Sequence, residues 1–350
     1  MLNAIFIVSL AIALFALLFW GVRNLPAERW QMLAAVPVTK SPDGSWKGLN
    51  LTFYGFFSAS GTTFVFAIML LLLACVQIPL LVGVSVVLLI LLVCVPASRL
   101  IAGIVERKRN TFTVAGAAFV ATLLLPWLVL AMQFVIATAI HRSFAIMPVF
   151  AAAAIGYVLG ESIGRLACLS FGCCYGMPLR DANPSVARLF RKHNLVIQGS
   201  TKKAAYASGL AGEPLIPVQA ISSTVFAMAG LSGLAFFLAQ QPRTAAMIAI
   251  LTSWCWRACS EWLRADHRGH SRISTYQVMA AFSAVYLGAF ILLAPDISAP
   301  VPNLSAALAH MTSAPILLAL EILWIGLFLY YGRSRVTASK VSFHVLANQI

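Results

Sequence analysis

The sequence predicts an all-α polytopic membrane protein of about nine transmembrane helices. Three observations carry that expectation. Of 350 residues, 61% are hydrophobic and only 10% are charged, against roughly 25% charged in soluble domains. The mean hydropathy is +0.91, so no polar surface dilutes the apolar residues. Apolar runs of spanning length recur along the chain without period-2 alternation, and in hydrocarbon such a run must satisfy its own backbone as a helix.

Nine runs qualify: 5–22, 51–76, 78–101, 113–138, 144–164, 216–238, 245–263, 276–293 and 314–331. The first has no basic segment ahead of it and no small-residue cleavage site before Arg23, so it reads as an anchor. Gln77 and Pro79 mark a tight turn between the second and third. Leu72-Leu73-Ala74-Cys75 has the look of an acylation box, but it lies deep inside a span. The longest polar stretch, 168–215, carries Pro178, Pro184 and Pro214 with Arg180, Arg188, Arg191, Lys192, Lys202 and Lys203. Connections of this length are more often functional than idle. A second basic loop, 264–272, follows the seventh span.

The net charge is +14. In a soluble chain this would suggest nucleic acid; here the Lys and Arg are expected in loops, where they set topology, and no nucleic acid is expected. Numbering loops from the nine spans puts 21 of the 24 cations on one face, within 23–47, 99–109, 180–203, 257–272 and 333–340. Arg142 and Arg243 fall on the other face, and Arg165 sits at a span end. The positive-inside rule turns the rich face to the cytoplasm.

Seven cysteines are an odd number and suggest no disulfide framework. Cys75, Cys94, Cys255 and Cys259 lie in or at the end of apolar runs, where a thiol is a small hydrophobe. Cys168, Cys173 and Cys174 invite a metal, yet their spacing departs from C-x-x-C and three ligands fall short of zinc's usual four. Packing is the favoured reading, and no metal or other cofactor is expected.

Two polar sites end apolar helices in arginine. In the first, Glu161 and Arg165 are spaced i,i+4 and can pair on one face. Gly160, Gly164, Gly172 and Gly176 permit close helix approach and a tight exit. In the second, Arg257, Glu261 and Arg264 fall at i, i+4 and i+7. A structural ion pair explains the first and interfacial snorkelling the second; an ionisable group at membrane depth is also a functional candidate. Two arginines from separate helices suit a phosphate, because the planar guanidinium grips its oxygens bidentately. A phospholipid follows as the ligand class.

Gly164-Arg165-Leu166 and Gly172-Cys173-Cys174-Tyr175-Gly176 resemble the start and a variant ending of the signature of prolipoprotein diacylglyceryl transferases, bacterial inner-membrane enzymes. Other pieces follow in family order. Phe53-Tyr54-Gly55-Phe56 is similar to the opening of the first core helix, and Arg99 to the arginine ending the second. Glu261-Trp262-Leu263-Arg264-Ala265-Asp266 resembles the late E-x-x-R-x-D stretch, and Tyr276-Gln277 the opening of the last helix. The likeness covers roughly 51–293, implying a seven-helix transferase-like core, 51–295, with a polar head loop at 168–215. One extra helix stands at each end, followed by a loop (1–50) or within a basic tail (296–350).

The departures fall on the proton-transfer side. The family's H-G-G stands here as Val114-Ala115-Gly116, and its H-P-S-Q-L-Y-E as Ile216-Pro217-Val218-Gln219-Ala220-Ile221-Ser222, without the histidine. The resemblance implies transfer of diacylglyceryl from phosphatidylglycerol to an acceptor, a prolipoprotein cysteine in the family, and a periplasmic 168–215 loop, the reverse of what the positive-inside rule gives. Arg165 and Arg264 would stabilise the leaving phosphate, and His267 beside Asp266 would take the proton. Tyr54, Arg99, Glu161, Gly164, Gly176, Gln219, Arg257, Glu261 and Gln277 would bind substrate. Two alternatives stay open: a paralogue with another acceptor, protein or small molecule, and a non-catalytic lipid-binding membrane protein.

Overall fold

The computed structural model describes residues 1–105, 114–141, 143–266, 273–295 and 299–350. Helices dominate, as a chain this apolar requires. Nine of those described run 18 residues or longer: α1 Leu2–Asn24, α2 Phe53–Cys75, α3 Leu80–Val105, α4 Val114–Ile140, α5 Ile146–Phe171, α8 Val218–Leu238, α9 Pro242–Ser260, α10 Thr275–Leu293 and α12 Ala314–Tyr331. Each coincides with one expected run. Eight are long and apolar enough to cross a membrane; α9, with Arg243 and Arg257 among its 19 residues, is the exception. The protein is an all-α polytopic membrane protein in contact with lipid. Gln77 adopts φ +57° in the turn between α2 and α3, where the tight turn was expected.

Helix α5 is the axis of the bundle, buried along nearly its whole length and packed against α2, α8 and α9. Glycine makes that possible. A Cβ on Gly156 would lie 2.6 Å from the Val65 carbonyl, and one on Gly61 would lie 2.7 Å from the Gly160 carbonyl. Helices α2 and α5 therefore meet backbone to backbone, the small-residue packing that replaces a hydrophobic driving force in lipid. Helices α1 and α12 sit outside and turn most side chains outward.

The segment expected as a loop after α1 is instead a hairpin, β1 Met32–Lys40 against β2 Trp46–Thr52. Strand β5, Ser339–Val341 of the tail, adds to its other edge in the order β1-β2-β5. The two flanking segments thus join each other as well as the core. The head loop carries short elements: α6 Pro184–Phe190, β3 Leu195–Val196 paired with β4 Pro214–Leu215, and α7 Lys203–Ser208. Helix α11, Leu304–Met311, packs on α2.

Backbone hydrogen bonds gather the basic segments at one end. Gln198 N donates to Pro26 O (3.0 Å), Met177 N to Leu263 O (2.9 Å) and Thr52 N to Gly332 O (3.0 Å). At the opposite end Asn303 N meets Cys75 O (2.8 Å), and Arg243 donates to the Leu292 and Ala294 carbonyls.

Candidate functional site

A cavity of about 720 Å³ opens at that basic end, walled by α2, α3, α4, α5, α8, α9, α10 and the end of α12. Its upper lining holds seven cationic side chains (Arg99, Arg165, Lys203, Arg257, Arg264, Arg333 and Arg335) and three acidic ones (Glu161, Glu261 and Asp266) among the described residues. The formal surplus is four positive charges. Below them the walls are apolar: Val65, Phe66, Met69, Leu91, Val158 and Phe226. The cavity thus has a cationic roof over an apolar shaft.

Helix α5 sets the central group. Tyr157, Glu161, Arg165 and Cys168 recur at helical spacing, so all four look into the cavity. Glu161 bridges two guanidiniums: Arg165 Nη2 on its own helix, and Arg257 Nη2 of α9 at 2.9 Å. Arg257 also donates to the Tyr157 hydroxyl and stands 5.7 Å from the ring centroids of Tyr157, Phe226 and Trp254. Arg165 lies 5.7 Å from the Phe226 ring. Both arginine side chains are nine-tenths buried. Each keeps a buried Nε–H with no acceptor among the described residues. Such donors are costly to leave unmade away from water.

Arg264 follows a single helical turn, Glu261–Leu263, and forms a second group. Its Nε and Nη2 grip both Asp266 oxygens at 2.7 and 2.8 Å, with Glu261 at 3.7 Å. Ser274 Oγ donates to Glu261 (3.1 Å). Asp266 foremost holds the buried Arg264 charge far above its ordinary range. The backbone of Arg264 bridges to Gly176, which ties this loop to the cysteine motif.

The cysteine motif is more ordered than its spacing suggests. The Cys168 carbonyl accepts from Gly172 N (2.8 Å) and Cys173 N (3.1 Å), closing α5. Gly172 (φ +72°) and Cys174 (φ +56°) are both left-handed, which glycine adopts freely and cysteine rarely does. The double turn brings the three sulfurs within 4.8 Å of one another, with Cys168 Sγ to Cys174 Sγ at 3.8 Å. Contacts with the other two thiols, then burial, push the Cys173 thiol well above its usual range.

The structure brings most of the predicted residues together. Tyr54, Arg99, Glu161, Gly164, Arg165, Arg257, Glu261, Arg264 and Asp266 all line the cavity, Arg99 at the mouth 5.0 Å from the Tyr330 ring. Gly176, Gln219 and Gln277 stand behind the lining. A Cβ on Gly176 would press within 2.9 Å of Ile216; Gln219 Nε2 holds the Cys173 carbonyl at 2.9 Å; Gln277 closes the capping box of α10 with Ser274. His267 lies outside the described residues, as does His270, and His193 is exposed in the head loop. Sequence reasoning missed Tyr157, although its place one turn before Glu161 was visible. It also missed Tyr330, Tyr331, Arg333 and Arg335, which reach the cavity from outside the expected core.

Compared with known proteins, the chain matches no family model and no curated sequence.

Proposed function

We propose that this protein is a phospholipid-dependent transferase of the bacterial inner membrane, with nine spanning helices and a seven-helix transferase-like core. It would move diacylglyceryl from phosphatidylglycerol to a thiol acceptor. The observation that carries this reading is the pair of nine-tenths-buried guanidiniums, Arg165 and Arg257, that line the cavity and share one carboxylate, Glu161, which leaves one positive charge of the three groups unbalanced. A surplus cation so placed favours an anion that arrives with the substrate. The phosphodiester would lie beneath Arg165, Arg257 and Arg264, with its acyl chains along the apolar wall. As the glyceryl carbon–oxygen bond breaks, charge grows on the departing phosphate, and the fixed guanidiniums favour that state over the ground state.

The reading is tested by offering the detergent-purified full chain phosphatidylglycerol labelled in its free glycerol, with a cysteine peptide as acceptor. Release of labelled glycerol phosphate is expected. A specific observation favours a second reading, a lipid-binding protein without turnover: no histidine lines the cavity among the described residues, and Asp266 is already engaged by Arg264. Saturable phosphatidylglycerol binding without any release would decide for that alternative.

A further inference from the structure

The phosphate side of the cavity is well furnished with arginines, whereas no histidine lines it among the described residues. The cysteine cluster fills that gap. We propose that Cys168, Cys173 and Cys174 hold a zinc ion by three thiolates, leaving its fourth position open to the cavity for the acceptor thiol.

The geometry fits the ion. Zinc–sulfur bonds of about 2.3 Å at a tetrahedral centre hold sulfurs about 3.8 Å apart. Cys168 and Cys174 already stand at 3.8 Å, and no pair exceeds 4.8 Å. Each remaining sulfur therefore moves by less than about 1 Å, a side-chain adjustment. No His, Asp or Glu joins the cluster among the described residues. All three cysteines line the cavity, so the missing ligand is one the cavity supplies. Three protein ligands with an open fourth place distinguish a catalytic zinc from a structural one.

A second, independent observation is the backbone. Cys174 is held at φ +56°, two residues after left-handed Gly172, and the two turns bring the side chains of Cys168, Cys173 and Cys174 to one centre. Non-glycine residues in that region concentrate at functional sites. The turn is braced from behind: Gln219 holds the Cys173 carbonyl, and a Cβ on Gly172 would lie 3.0 Å from the side chain of buried Lys202. Packing of small apolar groups needs none of this. Charge is also accommodated, since three thiolates on one divalent ion leave one net negative charge in a cavity with a cationic surplus.

The chemical role rests on the transferase reading; the binding of the ion does not. An acceptor thiol entering the fourth position releases its proton to solvent and binds as thiolate. Its sulfur lone pair attacks the glyceryl carbon, the carbon–oxygen bond to phosphate breaks, and the electron pair leaves on glycerol phosphate beneath the arginines. Thioether, glycerol phosphate and one proton are the products, and zinc keeps its charge.

The test uses the full chain in detergent, stripped with a chelator and titrated with zinc or cobalt(II) alone. One equivalent per chain is expected, with the thiolate-to-cobalt charge-transfer band of a three-sulfur site. Cys168→Ser and Cys174→Ser should each lower zinc affinity at least tenfold, while Cys255→Ser, at an exposed position on α9, should leave it unchanged. Failure of the wild-type chain to bind zinc or cobalt, a preference for copper(I) alone, or undiminished zinc binding in Cys168→Ser would overturn the site, whatever the folding of the variants. Glycerol phosphate release that persists in the metal-free chain would overturn the role of zinc and leave the transferase reading intact. Zinc binding with no lipid turnover would sink that reading and leave the metal site standing.

Discussion

Replacing Arg165 by lysine keeps the charge and removes the geometry, which makes it the sharpest probe of the anion site. Arginine gives Nη2 to Glu161 while the rest of its planar guanidinium lines the cavity. A lysine ammonium is one compact centre on a stem of similar reach. Drawn to Glu161, it has no second planar prong to give an anion. The loss is at least one charge-assisted hydrogen bond, worth about 1.5–3 kcal/mol. At about 1.4 kcal/mol per decade this predicts a fall of roughly 10- to 150-fold in turnover of phosphatidylglycerol. Because that bond strengthens as the phosphate departs, the loss should appear in kcat as well as KM. The assay is labelled glycerol phosphate release in micelles, with the melting temperature of each variant measured alongside. A folded Arg165→Lys variant within twofold of wild type would remove Arg165 from phosphate binding.

The remaining expectations are as direct. Glu161→Gln deprives Arg165 and Arg257 of their shared carboxylate; breaking a buried pair costs about 3–5 kcal/mol, so the melting temperature should drop by several degrees, and an unchanged midpoint would refute the bridge. Lys202, fully buried, donates Nζ to the Leu25 and Pro26 carbonyls at 2.7 and 2.8 Å, and burial pushes its pKa from 10.5 down to about 7. The unfolded chain then binds more protons between those values, so stability rises with pH from about 7 to 10.5, by an amount on the order of a few kcal/mol; Lys202→Met should flatten that rise, and parallel slopes would contradict it. Ser200→Cys, at an exposed head-loop position, should resist a membrane-impermeant thiol reagent in intact spheroplasts if the basic end is cytoplasmic, and brisk labelling would put it outside.

The long helices were legible because lipid leaves the backbone no alternative: each apolar run had to be a helix, and each is. The sheet was not. Strand β1 contains Pro37 beside a break in register, and its partner strand β2 pairs onward with β5 almost 300 residues later. Nothing local announces that pairing. At the site, pairs on one helix were readable from spacing, as with Glu161 and Arg165. The bridge from Glu161 to Arg257 joins α5 to α9 and needed the packing of those helices. The thiols are the instructive case. Counting residues between Cys168 and Cys173 gave no sign that their sulfurs meet; two left-handed residues, Gly172 and Cys174, bring them within 4.8 Å of one another.

Orientation bears on what the acceptor can be. The segments that hold 21 of the 24 cations were assigned to one face from span order alone, and the described parts of those segments meet at the end where the cavity opens. By the positive-inside rule so one-sided a distribution would turn that end to the cytoplasm, which the Ser200→Cys labelling tests. Among the described residues Arg180, Arg257, Arg264 and Lys340 are paired with acids, but most of the rest sit in short connections where the rule is strongest. The transferases that the chain resembles work on the outer side, upon cysteines already translocated. A cavity facing inward would instead meet acceptors before export, in a compartment that keeps thiols reduced. No disulfide joins any of the seven cysteines, and three of them converge beside the cavity. The zinc centre proposed above would be sustained by that redox setting, and on the proposed transferase reading an inward-facing cavity would imply a cytoplasmic thiol as the acceptor.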